Sequence, residues 1–222
     1  MDIFIVLSPI LLVLMVAVYF YLALKRREKR RTLEAILDSG NQGELKVQEV
    51  LKTLERSKRY KVFHNIKLGP DMNNTNEYDS VIVGPNGIFH IETKNYGGER
   101  GGIIDIDSSG NWILHKKNGH SKMVNNPAGQ IDSHEYRLKG FLRKVVGVKN
   151  LPTQGVIVLS CDKVKLTKKN RKEQNAVPVM GRKELVKYIK SYNQGQRVLY
   201  TNTIKKICYC IEAMNNRQPA VN

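Results

Sequence analysis

Cysteine is scarce in this chain: there are three, Cys161, Cys208 and Cys210, with no Cys-x-x-Cys spacing among them. An odd count without that spacing argues against a disulfide framework or a thiolate zinc site and fits a reducing compartment. Cys208 and Cys210, two apart on an expected late helix, diverge and read as packing residues. There is no serine nucleophile elbow, kinase loop or dinucleotide fingerprint. The glycine-rich run Gly97-Gly98-Glu99-Arg100-Gly101-Gly102 is not followed by Gly-Lys-Ser/Thr, so it reads as a flexible turn and not as a phosphate-binding loop. Acids are also few: 20 Asp and Glu stand against 37 Lys and Arg, a net charge of +17. The segment Lys25-Arg26-Arg27-Glu28-Lys29-Arg30-Arg31 carries +5 and Asp2 carries −1, which leaves +13 on residues 32–222. A body this basic points to a polyanionic partner, nucleic acid or anionic lipid; the plain alternative is a charge that serves solubility.

One long apolar run is present. Ile3 to Leu24 holds no charged residue, and as a helix its 22 residues span about 33 Å, the thickness of a bilayer core. Tyr19 and Tyr21 stand near one end, where aromatic belts form, and the basic run follows at once, placing that end in the cytoplasm. A cleaved signal peptide fits less well, because no basic stretch precedes the run and no small-x-small site follows it. The expectation is a single-pass membrane anchor over 1–24. A polybasic collar and helical stalk over 25–38 follow, with residues 25–31 available to anionic lipid headgroups. Asp38 or Ser39 with Gly40 is expected to end the stalk.

Leu45, Val47, Val50, Leu51 and Leu54 form a helical apolar stripe, with Glu44 in the first turn. By itself that acid reads as a partner of the helix dipole. Tyr60 to Leu68 reads as a strand. Ile103–Ile106 and Trp112–Lys116 read as a hairpin, Ala128–Val145 as a helix opened by Asn126-Pro127, and Gly155–Ser160 as a buried strand. Ala176–Met180 reads as a short strand and Lys163–Lys172 as a basic loop. Arg182–Tyr192 and Arg197–Met214 read as helices, with a frayed tail after Asn215. This order predicts a mixed α/β domain with a central sheet flanked by helices.

The densest chemistry lies in Glu77 to Lys94. Two apolar runs flank Pro85-Asn86-Gly87, a strong hairpin signal in which an Asn-Gly turn favours positive φ. If the loop is Pro85-Asn86, or the four residues Gly84 to Gly87, Val83 pairs with Ile88 and Asp79 falls opposite Glu92. If the loop is Asn86-Gly87, Asp79 falls opposite Lys94. Glu92 and Lys94 share a strand face, about 7 Å apart. Two facing carboxylates repel, and a divalent cation with oxygen ligands would offset that repulsion. Lys94 beside them can orient a water or neutralise developing negative charge. Taken singly, Glu-x-Lys is a common solvated strand face; its setting between buried strands gives it weight.

Gly43-Glu44, Asp79, Glu92-Thr93-Lys94, and Asn126-Pro127 with Gln130, in that order on those elements, resemble the nuclease-related domain (NERD), a branch of the PD-(D/E)xK nuclease superfamily. The resemblance covers about Gly40 to Ser160, and the hairpin also looks like that of archaeal Holliday-junction resolvases. It implies a restriction-endonuclease-like α/β fold over residues 39–160, with 161–222 completing or flanking it. It also implies a metal-dependent hydrolysis of phosphodiester bonds. Asp79 and Glu92 would hold Mg²⁺ or Mn²⁺, with the Thr93 carbonyl and Glu44 completing the shell. Lys94 would position the attacking water and Gln130 would stand beside the site. Where related sequences carry Gln-x-x-x-Tyr, this chain has His134, read as a packing or hydrogen-bonding residue. The superfamily's Pro-Asp is also absent, since Tyr78 precedes Asp79. The function expected is a membrane-anchored nuclease acting on nucleic acid, DNA first. Its rivals are a non-catalytic adaptor tethered to the membrane that binds nucleic acid or protein, and a lipid-surface protein.

Overall fold

The computed structural model describes residues 3–98, 100–167 and 177–216, with side chains from 14 onward except that of Gln194. Contacts within the chain divide it into residues 1–41 and 42–222.

The first unit is helical, the opening part of α1 (Ile3–Arg56). From Leu14 to Leu24 its apolar side chains are exposed, Tyr19 and Phe20 among them. The membrane span expected over 3–24 falls in part on the side chains of 3–13, which lie outside the described residues. Among the described residues no helix is long and apolar enough to cross a membrane. From Leu14 only eleven uncharged residues precede Lys25, about 17 Å of helix against a core of about 30 Å. The transmembrane helix is thus unsupported by the structure. The break expected at 38–40 is also absent, because the helix continues through it. One glycine in an exposed helix costs about 1 kcal/mol, which flanking helix formers absorb.

In the second unit, residues 42–56 of α1 lead to five strands that form one mixed sheet. They are β1 (Lys61–Leu68), β2 (Asn76–Gly84), β3 (Gly87–Lys94), β7 (Thr153–Leu159) and β9 (Val179–Gly181), in the order β1-β2-β3-β7-β9. The first three are antiparallel, and β3, β7 and β9 run parallel. Two apolar layers cover the sheet. On one face Val47, Leu51 and Leu54 of α1 pack with Ile82, Phe89, Ile91, Val156 and Val158. Leu185 and Ile189 of α3 (Arg182–Ser191) join them. On the other face α2 (Ala128–Phe141) and α4 (Thr201–Asn215) bury Leu138, Phe141, Ile207 and Ile211 against Val81, Val83 and Ile88. The odd and even positions of β3 thus serve different layers, as strand geometry requires.

A second sheet of four strands has the order β6-β5-β4-β8. Its strands are β4 (Gly102–Ile106), β5 (Trp112–Lys116), β6 (Ser121–Val124) and β8 (Val164–Leu166). Ile104, Trp112 and Leu114 pack with Ile131, Ile157 and Leu159, so this sheet leans on α2 and β7. Two of its strands depart from the sequence expectation. β6 pairs with β5 as an added third strand. β8 lies inside the stretch read as a basic loop, with Val164 and Leu166 buried around an exposed Lys165. Residues 168–172 of that stretch, Ala176 at the start of the next expected strand, and the tail beyond 216 lie outside the described residues. The helix expected to reach Val145 stops at Phe141 and passes into a π-turn over Leu142–Val146. The last helix begins at Thr201 instead of Arg197, because the N–H groups of Val198 and Leu199 bond to the carbonyl of Pro85.

Candidate active site

The register of the central hairpin sets the site. Val83 pairs with Ile88 and Gly84 with Gly87, so the loop is Pro85-Asn86. Positive φ falls on Gly87, at 151°, and not on the two loop residues. This turn is held from outside. The buried Asn86 amide donates to the carbonyls of Ile189 and Tyr192, and the Asn193 amide donates to the Asn86 carbonyl.

Asp79 departs from the simple cross-strand pair. The β2–β3 ladder reaches Ser80–Ile91, one step short of Asp79 and Glu92. Tyr78 and Val81, three apart, lie in the same core layer, so the side-chain alternation slips between them. The facing Asn65 has φ 50°. Within this irregular step, Asp79 Oδ2 accepts the backbone N–H of Thr93 at 2.6 Å.

Glu92 is 2% exposed and lies at the centre of a polar triangle. Its Oε1 accepts from Lys94 Nζ at 2.5 Å, and its Oε2 accepts from Gln130 Nε2 at 2.7 Å. Gln130 Oε1 in turn accepts from Lys94 Nζ at 3.2 Å. Gln130 arrives from the first turn of α2. There the Asn126 side chain accepts the N–H of Ala128 and donates to the Gly110 carbonyl, which ties the start of the helix to the second sheet. Glu44 arrives from the opposite layer. A Cβ at Gly43 would stand 2.8 Å from Asn95 Cβ and from Ser160 Oγ, so glycine is what lets α1 close on the ends of β3 and β7.

The charges at this end of the sheet are out of balance. Burial, followed by the negative charges of Asp79 and Glu44, pushes Glu92 up to about 7 against the pull of Lys94. Burial also raises Asp79, against the Thr93 N–H and Lys94. Glu44 is raised by burial and by Asp79 and Glu77. Three carboxylates therefore face one ammonium group, and burial with their mutual repulsion disfavours ionising all of them at once. The donors are hard oxygens, the type that Mg²⁺ and Mn²⁺ take. Among the described residues, no three His, Cys, Asp or Glu side chains form a group able to hold a metal ion. The structure shows the Thr93 N–H, and not its carbonyl, engaged at the site.

His134 lies one turn beyond Gln130. Its Nδ1 is 3.8 Å from Glu92 Oε2, too far for a hydrogen bond. Burial, then His90 and Lys94, lower it to about 4, so it is neutral at pH 7. Its ring stacks at a tilt on Tyr78, whose hydroxyl donates to the His134 carbonyl at 2.7 Å. It packs, as the sequence suggests.

Two further groups were not foreseen. Fully buried His90 bonds through Nε2 to Glu135 Oε2 at 2.8 Å, and Glu135 Oε1 accepts from Thr153 Oγ1 and from Lys139 Nζ. Gly155 leaves room for this ring, since a Cβ there would come 2.7 Å from His90 Cε1. A histidine inside an apolar run gave no sign of its partner. Tyr96 carries a legible signal, since it follows Glu92 and Lys94 at the same two-residue spacing. Burial, then the Glu92 charge, push it up to about 12. Its hydroxyl donates to the Asn125 carbonyl and its ring meets Trp112 edge-on.

The chain is 32% identical over 81 residues to an uncharacterized protein of Bacillus anthracis, a match covering 35% of this chain and 36% of that protein. It therefore spans about a third of that relative's length. No solved structure matches. The nuclease-related domain profile matches residues 39–160, more than half of the chain, from before Gly43-Glu44 to the end of β7. The chain belongs to the nuclease-related domain family.

Proposed function

We propose that this protein hydrolyses phosphodiester bonds in nucleic acid, DNA first, at the site built by Glu44, Asp79, Glu92, Lys94 and Gln130. The observation that carries the reading is the buried Glu92, bonded at once to Lys94 and Gln130 while Asp79 and Glu44 raise its proton affinity. Asp79, Glu92 and Glu44, with the Thr93 carbonyl, would hold Mg²⁺ or Mn²⁺. When bound, such an ion neutralises phosphate charge and makes water more acidic. Mg²⁺ commonly uses one or two carboxylates with water and substrate phosphate, so the lack of a three-ligand cage among the described residues is compatible with it. Lys94 orients the attacking water and balances charge that grows on the phosphate oxygens. Gln130 fixes both Glu92 and Lys94, so the ammonium is aimed before substrate arrives. The fold is restriction-endonuclease-like in this reading, with residues 161–222 completing the domain.

Attachment to the cell membrane is proposed on sequence alone. The uncharged run 3–24 is a single-pass anchor, and the basic collar 25–31 meets anionic lipid and keeps the domain in the cytoplasm. A second reading, a tethered adaptor that binds nucleic acid or protein without cutting, is favoured by one observation: Lys94 already occupies Glu92.

Purified full-length protein is expected to cleave DNA with Mg²⁺ or Mn²⁺. Glu92→Ala and Lys94→Ala are each expected to slow cleavage by about 10² to 10⁴ while circular dichroism stays unchanged. Equal cleavage by all three proteins identifies a contaminant and ends the catalytic reading. Salt-sensitive binding without cleavage under either metal establishes the adaptor.

A further inference from the structure

At the far end of α2 from Gln130, a cleft of about 400 Å³ is lined by Lys139, Leu142, Arg143, Val148, Lys149 and Leu151, together with Asn150. It contains three cations and no acid. Lys139 is shared with Glu135. Arg143 and Lys149 are exposed and have no acid partner among the described residues. Lys206 of α4 adds a fourth charge nearby, its Nζ 3.7 Å from where a Cβ on Gly147 would stand. The floor is apolar, with Leu142 buried and Val148 and Leu151 half-buried. The backbone is shaped around it. The π-turn Leu142–Val146 ends at Gly147 with φ 76°, and Asn150 takes φ 55°, so the segment carrying Lys149 folds back over the helix end. Single π-turns of this kind are frequent at functional sites.

We propose that this cleft is a second contact for the nucleic acid, binding backbone phosphates with Arg143 and Lys149 while a sugar edge rests on Leu142, Val148 and Leu151. The proposal rests on the reading of the chain as a nucleic-acid-binding protein and deepens it by giving the substrate a direction. Gln130 and Lys139 are nine residues apart on one helix, about 14 Å along its axis. At about 3.4 Å per nucleotide of one strand, that is about four nucleotides. One strand can therefore reach the acid–lysine site and the cleft together only when it extends about four or more nucleotides beyond the bond to be cut. The exposed Tyr136 lies between the two places on α2 and offers a ring for a base to stack on.

The test is metal-free binding of a labelled DNA oligonucleotide to the full-length protein across a salt series. Arg143→Gln with Lys149→Gln is compared with Lys187→Gln and Lys190→Gln, which remove equal charge from exposed positions of α3. For a single strand, loss of two phosphate contacts lowers the slope of log affinity against log salt by about 1.4. Raising salt from 50 to 200 mM then weakens the cleft variant about 7-fold less than wild type. The α3 variant is expected to follow wild type. A trinucleotide is too short to reach both places, so shortening the strand to three nucleotides should cost wild type more affinity than it costs the cleft variant. An unchanged slope in the cleft variant, or an equal change in the α3 variant, overturns the proposal. So does a cleft variant that loses binding to anionic phospholipid vesicles while keeping its DNA affinity. If wild type binds no DNA at all, the broader functional reading fails too, whereas binding that ignores the cleft variant sinks only the cleft.

Discussion

Glu92 and Glu135 lie in the same layer, between the central sheet and α2, and burial disfavours charge on both. Their protons nevertheless go opposite ways. Glu92 is pushed up to about 7, with Asp79 and Glu44 adding to burial. Glu135 falls to about 2, because bonds from His90, Thr153 and Lys139 outweigh burial. A carboxylate met only by donors is held ionised; one that also faces other acids is pushed toward its neutral form even when donors reach it. The fold thus fixes α2 on the sheet with Glu135 and leaves Glu92, met by Gln130 five residues earlier on the same helix, with a raised proton affinity.

Breaking the satisfied pair should have the largest effect on stability. Glu135→Ala leaves His90 buried without its partner and should cost about 2–3 kcal/mol in urea unfolding, whereas Glu92→Gln at pH 8 should be neutral or stabilising. Equal losses would erase the contrast. Next comes pH. The raised Glu92 pKa means that the folded protein binds this proton more tightly than the unfolded chain. That stabilisation is complete below about 4.5 and is lost as pH rises through about 7. Wild type should therefore lose on the order of 2 kcal/mol relative to Glu92→Gln across that window. Glu135 acts in the other direction: its contribution is present above about 4.5 and is lost only as pH falls toward about 2. Parallel pH curves for wild type and Glu92→Gln would show that Glu92 is not held protonated. The smallest effect is the added cation. At ten times its dissociation constant, Mg²⁺ should stabilise wild type and Glu135→Gln by about 1.4 kcal/mol and leave Glu92→Gln unmoved, read as a thermal shift. A shift equal in all three would place the ion elsewhere.

Part of this site was legible from spacing: Glu92 and Lys94, two apart on one strand, share a face and meet. The loop length was left open by the sequence, and Gln130 was expected beside the pair only through the resemblance to the nuclease-related domain; in the structure it bonds to both. Asp79 was legible as a neighbour but not in its contact, because the slip between Tyr78 and Val81 is imposed by packing, to which period-two counting is blind. His90 and Glu135 are 45 residues apart, and nothing local joins them. β8 was missed because its lysines suggested a loop, although Val164 and Leu166 alternate around Lys165 as a strand should. The glycine at 40 looked like a helix end because local propensity was given more weight than its small cost.

The buried Pro85-Asn86 turn has a practical corollary. The family profile stops at 160, yet the groups that grip this turn come from Ile189, Tyr192, Asn193, Val198 and Leu199. An excised piece ending at 160 would carry every acid of the site, but Asp79 and Glu92 would stand on a ribbon whose tip had lost its clasp and stood bare to solvent. Expression boundaries drawn from homology alone would therefore yield a looser protein than the chain itself, and any property measured on such a piece would describe the cut and not the protein.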